Sequence, residues 1–253
     1  MVDGEWRMGG IMSKTKLAFG VEPADRIYRL RLARYQAMAE TIADYISRKE
    51  EKNKLDLLDI GVGSGRSMRY IEGIGAADRI RFSGVDLKLR RLDSVYSPHK
   101  WDLKQCDVEQ GLPFKPASFD IVVSEQLLEH LNKPEVVISE AARVLRPGGL
   151  FILGVPVFPP GISCIRRLIG GIRKLLNVKD KHIQAFSCAA VKHLVRACGC
   201  FEIVDIRGFR MFSGGILRRL EDMRWWYRLN RLAGKLVPGI CTEVQIVARK
   251  TEG

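Results

Sequence analysis

Long apolar runs are missing from this chain of 253 residues. The longest uncharged stretch, residues 150–165, spans 16 residues and is broken by Pro156, Pro159 and Pro160. A helix that crosses a bilayer needs about 20 apolar residues in a row, so a spanning helix is not expected. No continuous apolar segment precedes Glu22, so no secretory leader is expected either. The expected location is cytoplasmic, with a peripheral position on a membrane surface left open. Paired cysteines are missing too. The six cysteines (Cys106, Cys164, Cys188, Cys198, Cys200 and Cys241) form no C-x-x-C pair, and Cys198 and Cys200 are the only close ones. This excludes a disulfide framework and a zinc ribbon, and it predicts reduced thiols that pack as small hydrophobes. Repeats and low-complexity segments are absent, which excludes a solenoid.

What remains is an ordinary globular composition, 46% hydrophobic and 28% charged, long enough for one α/β domain with a full core. The net charge of +13 is out of the ordinary and is local. Residues 1–156 carry 24 Lys and Arg against 22 Asp and Glu, whereas residues 157–240 carry 16 against 5. A local cationic excess implies an anionic surface or substrate.

The chemistry-bearing stretch is residues 55–66, Leu-Asp-Leu-Leu-Asp-Ile-Gly-Val-Gly-Ser-Gly-Arg. An apolar run reads as a buried strand, and Gly61, Gly63 and Gly65 break it before a helical pattern that runs from Gly65 to Glu72. Such a turn lets backbone N–H groups approach a ligand closely. Its G-x-G-x-G spacing, with Asp59 two residues ahead, is not the G-x-G-x-x-G of pyrophosphate-binding folds, which disfavours a nicotinamide dehydrogenase. Strands are predicted over 80–87, 103–108, 118–124, 150–155, 201–209 and 243–249. Helices are predicted over 23–49, 134–145 and 187–198, and residues 1–22 read as a loose lead-in. Alternation of strands and helices implies a parallel sheet covered on both faces.

The acid-x-G-x-G-x-G turn resembles the first motif of the class I S-adenosylmethionine-dependent methyltransferases, of the small-molecule or lipid type. Phe119-Asp120-Ile121-Val122 in the fourth strand and residues 145–150, Leu-Arg-Pro-Gly-Gly-Leu, carry the resemblance on. It covers roughly residues 23–156 and 182–250. It implies a Rossmann-like seven-stranded sheet, mostly parallel with an antiparallel final strand, and a single domain over 1–253. It implies S-adenosylmethionine as cofactor and S-adenosylhomocysteine as product. Asp59, Gly61, Gly63, Gly65 and Ser124 would line the site. Asp86 and Leu87 stand where a strand-end carboxylate meets ribose hydroxyls, and a carboxylate suits a vicinal diol because it accepts two hydrogen bonds. The competing reading of Asp86 is a helix N-cap for residues 88–93. Asp107 and Val108 would take the adenine amino group and ring, and the competing reading of Asp107 is a plain turn residue.

After the fourth strand, Glu129 and His130 combine an acceptor with a titratable imidazole and are the catalytic candidates. The stretch resembles the E-x-x-E-H of quinone-pathway O-methyltransferases and RNA 3′-end methyltransferases, in which carboxylates and a later histidine hold a divalent metal. Here Gln126 replaces the first acid, Glu125 falls one position early, and His182 matches the later histidine. An amide in place of a carboxylate weakens a hard-cation site, so no metal is assigned. Two segments, 157–181 and 210–240, fall outside the common core as basic helical insertions, the second with Trp225, Trp226 and Tyr227. They suit either a membrane interface or a lid packed on the core. The expected function is methyl transfer, as O-methylation, to a small-molecule, lipid or lipid-linked glycan acceptor. The alternatives are a nucleic-acid (RNA) methyltransferase and a non-catalytic cofactor-binding subunit.

Overall fold

The computed structural model describes residues 30–49, 53–89, 99–158, 184–211, 213 and 215–252. Seven strands form one sheet: β1 (Leu55–Ile60), β2 (Ile80–Asp86), β3 (Trp101–Gln105), β4 (Phe119–Glu125), β5 (Leu145–Pro156), β6 (Phe201–Phe209) and β7 (Glu243–Lys250). Their spatial order is β3-β2-β1-β4-β5-β7-β6. Every pair is parallel except those made by β7, which runs antiparallel to both β5 and β6. The expected sheet, with its antiparallel final strand, is the one found.

The central strands read as continuous apolar runs because both of their faces are covered. Leu57, Ile121, Val123 and Ile152 face α1 (Ala33–Ser47) and α2 (Arg66–Glu72). Leu58, Ile60, Val122 and Leu153 face α3 (Pro134–Val144) and α4 (Cys188–Ala197). Pro134 sits in the first turn of α3, where its missing N–H costs nothing. Ser187 caps α4 by accepting from the Ala190 amide at 3.1 Å.

Two boundaries correct the sequence reading. The third strand ends at Gln105, not Val108, because the Asp107 side chain accepts from the Glu109 amide and starts a 3-10 turn at Val108–Gln110. Residues 146–149 were expected as a turn, yet they are the irregular beginning of β5, across which the register with β4 slips. Arg146 holds that stretch by reaching Asp120 at 2.5 Å and Asp56 at 3.0 Å, both at the amino ends of the strands. The predicted leading helix is described only from Leu30, as a 3-10 turn at Leu30–Leu32 that runs into α1. Residues 1–22 and the segment 159–183, which takes in most of the first basic insertion and His182, lie outside the described residues.

The second basic insertion comprises a 3-10 segment (Gly215–Leu220), helix α5 (Arg224–Leu236) and a 3-10 turn (Pro238–Ile240). One face of α5 packs on the core through Trp226, Asn230 and Gly234. A Cβ on Gly234 would collide with the Gly208 carbonyl, which fixes how closely α5 lies on β6. The five described cysteines are free thiols, as expected.

Candidate functional site at the strand carboxyl ends

The sheet reverses its winding at β1, whose neighbours are β2 on one side and β4 on the other. Open α/β sheets bind ligands in the crevice beyond such a reversal, at the carboxyl ends of the strands. The glycine turn occupies that place. Gly61, Gly63 and Gly65 have φ of +83°, +59° and +72°, a region that side-chain-bearing residues avoid. Gly61 is doubly constrained, since a Cβ there would also lie 3.1 Å from the Leu127 side chain. The turn is pinned to β2 by Gly61 N–H donating to the Val85 carbonyl at 2.8 Å. Among the described residues, a Cβ on Gly63 would meet nothing nearer than the Gly61 oxygen at 3.8 Å.

Asp86 closes the site from β2. Its Oδ2 accepts from the Gly63 amide at 2.8 Å and its Oδ1 from the Lys88 amide at 3.0 Å. The carboxylate is thus aimed by the very turn it borders, and each oxygen keeps a further lone pair. Leu87 beside it is exposed. Asp107 stands exposed past the end of β3, and Val108 next to it is buried. The turn role weighed for Asp107 is therefore real, and it occupies Oδ1.

Asp59 is buried under the turn. Its Oδ2 accepts from the Ser67 hydroxyl at the start of α2, while Oδ1 has no hydrogen-bond partner among the described residues. Burial pushes its carboxyl up to about 7, against the Ser67 hydrogen bond, and the Asp86 charge adds to the rise. Ser124 Oγ, Gln126 Nε2 and Glu129 Oε2 are also buried and without partners among the described residues. Buried polar atoms are nearly always satisfied, and these four lie at or just past the carboxyl ends of the neighbouring strands β1 and β4. Gln126 itself is held at φ +57° with its amide donating to the Gly154 carbonyl at 2.8 Å.

Glu129 and His130 lie in a 3-10 turn (Leu128–His130) that follows Leu127 and therefore sits beside Gly61. The Glu129 side chain is buried, and burial raises its pKa. His130 is partly exposed, with Nε2 at 3.8 Å from Glu129 Oε1. Gln184 straps this turn by donating its amide to the Glu129 carbonyl and its side chain to the carbonyls of Leu131 and Asn132. Among the described residues no cluster of three or more His, Cys, Asp or Glu side chains could hold a metal ion.

A buried ionic network is the part that sequence reasoning missed. Glu125, at the end of β4, accepts from Gln245 Nε2 at 2.6 Å and faces Arg34 Nε at 3.3 Å. Arg34 also pairs with Glu243 at 2.7 Å, and Arg210 reaches the other Glu243 oxygen at 2.7 Å. Burial pushes the Glu125 carboxyl up to about 7, and Arg34 and Gln245 pull it back. Burial works against the Arg34 charge, yet Tyr35, Glu243 and Glu125 around it leave its pKa raised. Gly154 admits the carboxylate, since a Cβ there would collide with it. The available signal was an acid ending an apolar strand, but its partners are far away in the chain.

Residues 58–153 match the model of a family described as a methyltransferase domain. The likeness to a methyltransferase domain thus runs from within β1 into β5. A probable S-adenosylmethionine-dependent methyltransferase of Mycolicibacterium smegmatis is 28% identical over 170 residues, 66% of this chain and 58% of that protein. A ubiquinone biosynthesis O-methyltransferase of Xanthomonas euvesicatoria is 31% identical over 115 residues, 44% of this chain and 46% of that one. The chain thus spans about half the length of the curated relatives it matches. Among solved structures, the [4+2]-cyclase SpnF aligns with a TM-score of 0.55 and 18% identity, over 86% of this chain and 82% of that one. That likeness concerns the fold alone, because folds host unrelated reactions.

Proposed function

We propose that the protein is an S-adenosylmethionine-dependent methyltransferase whose acceptor is a hydroxyl of a small molecule or lipid. The observation that carries this reading is the positive-φ glycine turn at the sheet reversal, aimed at Asp86 through the Gly63 amide. The residues present fit the cofactor. Orphaned acceptors at Asp59 and Ser124 suit its charged amino-acid end, and the clearance at Gly63 among the described residues suits close passage of a chain. Asp86 and Leu87 would hold the ribose side, with Asp107 and Val108 at the adenine. When bound, S-adenosylmethionine supplies a methyl group already activated on a sulfonium. The protein's own work is alignment of the acceptor and exclusion of water. His130 takes the hydroxyl proton on Nε2, and the buried Glu129 carboxyl 3.8 Å away steadies the charge that forms.

O-methylation is favoured by this acid and imidazole pair, and seven of the relatives matched are named ubiquinone biosynthesis O-methyltransferases. An amino-methylating nucleic-acid enzyme is disfavoured by residues 124–127, Ser-Glu-Gln-Leu, which lack the Asn/Asp-Pro-Pro-Tyr/Phe motif. We take residues 1–253 as one domain, with 157–181 and 210–240 as basic additions. The test is transfer of labelled methyl into a cell extract, afterwards separated into lipid, nucleic-acid and small soluble pools. Label in the lipid or soluble pool, lost in His130→Asn with cofactor binding intact, is the expected result. Label in nucleic acid would overturn the acceptor class. No label, with binding intact, would favour a non-catalytic subunit.

A further inference from the structure

We propose that the outward face of α5 docks the protein on an anionic lipid bilayer. The proposal goes beyond the methyl-transfer reading and does not depend on it. Trp225, Leu229, Leu232 and Leu236 recur at spacings of four, three and four, so they share one side of the helix. They are 56%, 45%, 59% and 71% exposed, and no described residue covers them. The buried face, Trp226, Asn230 and Gly234, is a different side of the same helix. Beside the apolar row run Arg228 and Lys235, both exposed and seven residues apart. The helix contains no acid at all; of its other two cations, Arg224 opens the helix and Arg231 is taken by Glu40 at 2.7 Å. A solvent-facing surface half aliphatic with a tryptophan and half cationic is the pattern of a helix lying in a bilayer interface. The apolar row inserts shallowly and the cations meet lipid phosphates.

Charge complementarity selects this occupant over two others. A second copy placed face to face would bring two rows of cations together, and like charges opposite one another repel. A nucleic acid would use the cations but leave three leucines without a role, because base stacking needs aromatic or planar groups. Position agrees with the choice. Leu30 donates its amide to the Glu221 carbonyl just ahead of α5, and Ser213 links Arg210 to Glu221. Arg210 in turn holds Glu243, which pairs with Phe209 at the carboxyl end of β6. The helix therefore belongs to the same end of the sheet as the glycine turn, and docking brings that end toward the lipid.

The test is co-sedimentation of the full chain with vesicles of phosphatidylcholine, alone or mixed with phosphatidylglycerol, at low and high salt. The expected result is binding to the mixed vesicles only, weakened by salt. Arg228→Gln with Lys235→Gln should weaken it by about 30-fold, since each cation near such a surface contributes about a fivefold factor. Trp225→Ser with Leu232→Ser should abolish it, with the melting temperature of the free protein unchanged. Equal binding to neutral vesicles, or variants that bind as well as the parent, would overturn the proposal. So would a lowered melting temperature in the Trp225 and Leu232 variant, which would mean that the face is packed within the chain. A dimer on gel filtration that this variant dissociates would assign the face to a second copy instead.

Discussion

The carboxyl ends of β1 and β4 lie side by side in one sheet, and they are built in opposite ways. At β1 the work is done by backbone: three glycines in the left-handed region, their amides held by the Val85 carbonyl, the Asp86 carboxylate and the Val62 carbonyl. At β4 it is done by side chains, with Glu125 closed in by Arg34 and Gln245. On the proposed reading, the first end receives the cofactor. The second locks α1, β4 and β7 together, so that the first stays in register. The difference teaches that binding and bracing are divided between neighbouring strands here, and it can be broken at either side.

The largest effect is expected from the bracing side. Arg34→Met leaves Glu125 facing the interior without its cation, and Glu243 with Arg210 only. Removing one partner from a buried ionic network costs about 3–5 kcal/mol. Urea denaturation should show a loss of that size at pH 8 and a smaller one at pH 5, where Glu125 takes up a proton. A loss below about 1 kcal/mol at pH 8 would mean that the network does not brace the sheet. On the binding side, Gly61→Ala meets both φ +83° and Leu127, and a non-glycine residue in the left-handed region costs about 1–2 kcal/mol. The same denaturation curve measures it, and an unchanged midpoint would remove the strict need for glycine.

A pH profile separates the two ends more finely. Asp59 and Glu125 both have folded pKa values raised to about 7, from ordinary values of 3.8 and 4.5. In the folded state they hold protons that the unfolded chain has already released, so stability is greatest below those lower values. It is lost as pH rises through about 7. The melting temperature of the ligand-free protein should therefore fall between pH 5 and pH 8. Asp59→Asn should flatten part of that fall, and a profile identical to the parent's would show that Asp59 titrates normally. The smallest effect belongs to neither end. Asp44 and Arg48 pair at 2.8 Å on the exposed side of α1, and Arg48→Ala should change stability by less than about 0.5 kcal/mol.

The same division explains what the sequence revealed. The backbone-built end is written in adjacent letters, since G-x-G-x-G after an apolar run and an acid ending β2 are local signals. The mostly parallel sheet and its antiparallel last strand follow from the family resemblance those letters carry. The side-chain-built end joins residues 91, 120 and 209 positions apart (Arg34 to Glu125, Glu125 to Gln245, Arg34 to Glu243). No spacing rule links them, and Glu125 counts only as a misplaced metal ligand until α1 is seen above it. The third strand was drawn too long because Cys106, Asp107 and Val108 have a strand's composition, while the Asp107 cap that ends it is a side-chain choice. Trp225 and Trp226 read alike as letters, yet one is exposed and the other buried, because helical geometry turns neighbours to different sides.

The central claim is that the glycine turn and Asp86 form the cofactor site. Calorimetric titration of S-adenosylhomocysteine into the parent and Asp86→Ala proteins tests it most directly, with the melting temperatures of both recorded alongside. The account predicts a loss of about 1.5–3 kcal/mol, roughly 10- to 150-fold in affinity, from the missing charge-assisted hydrogen bonds. Equal affinity in the two proteins would contradict it.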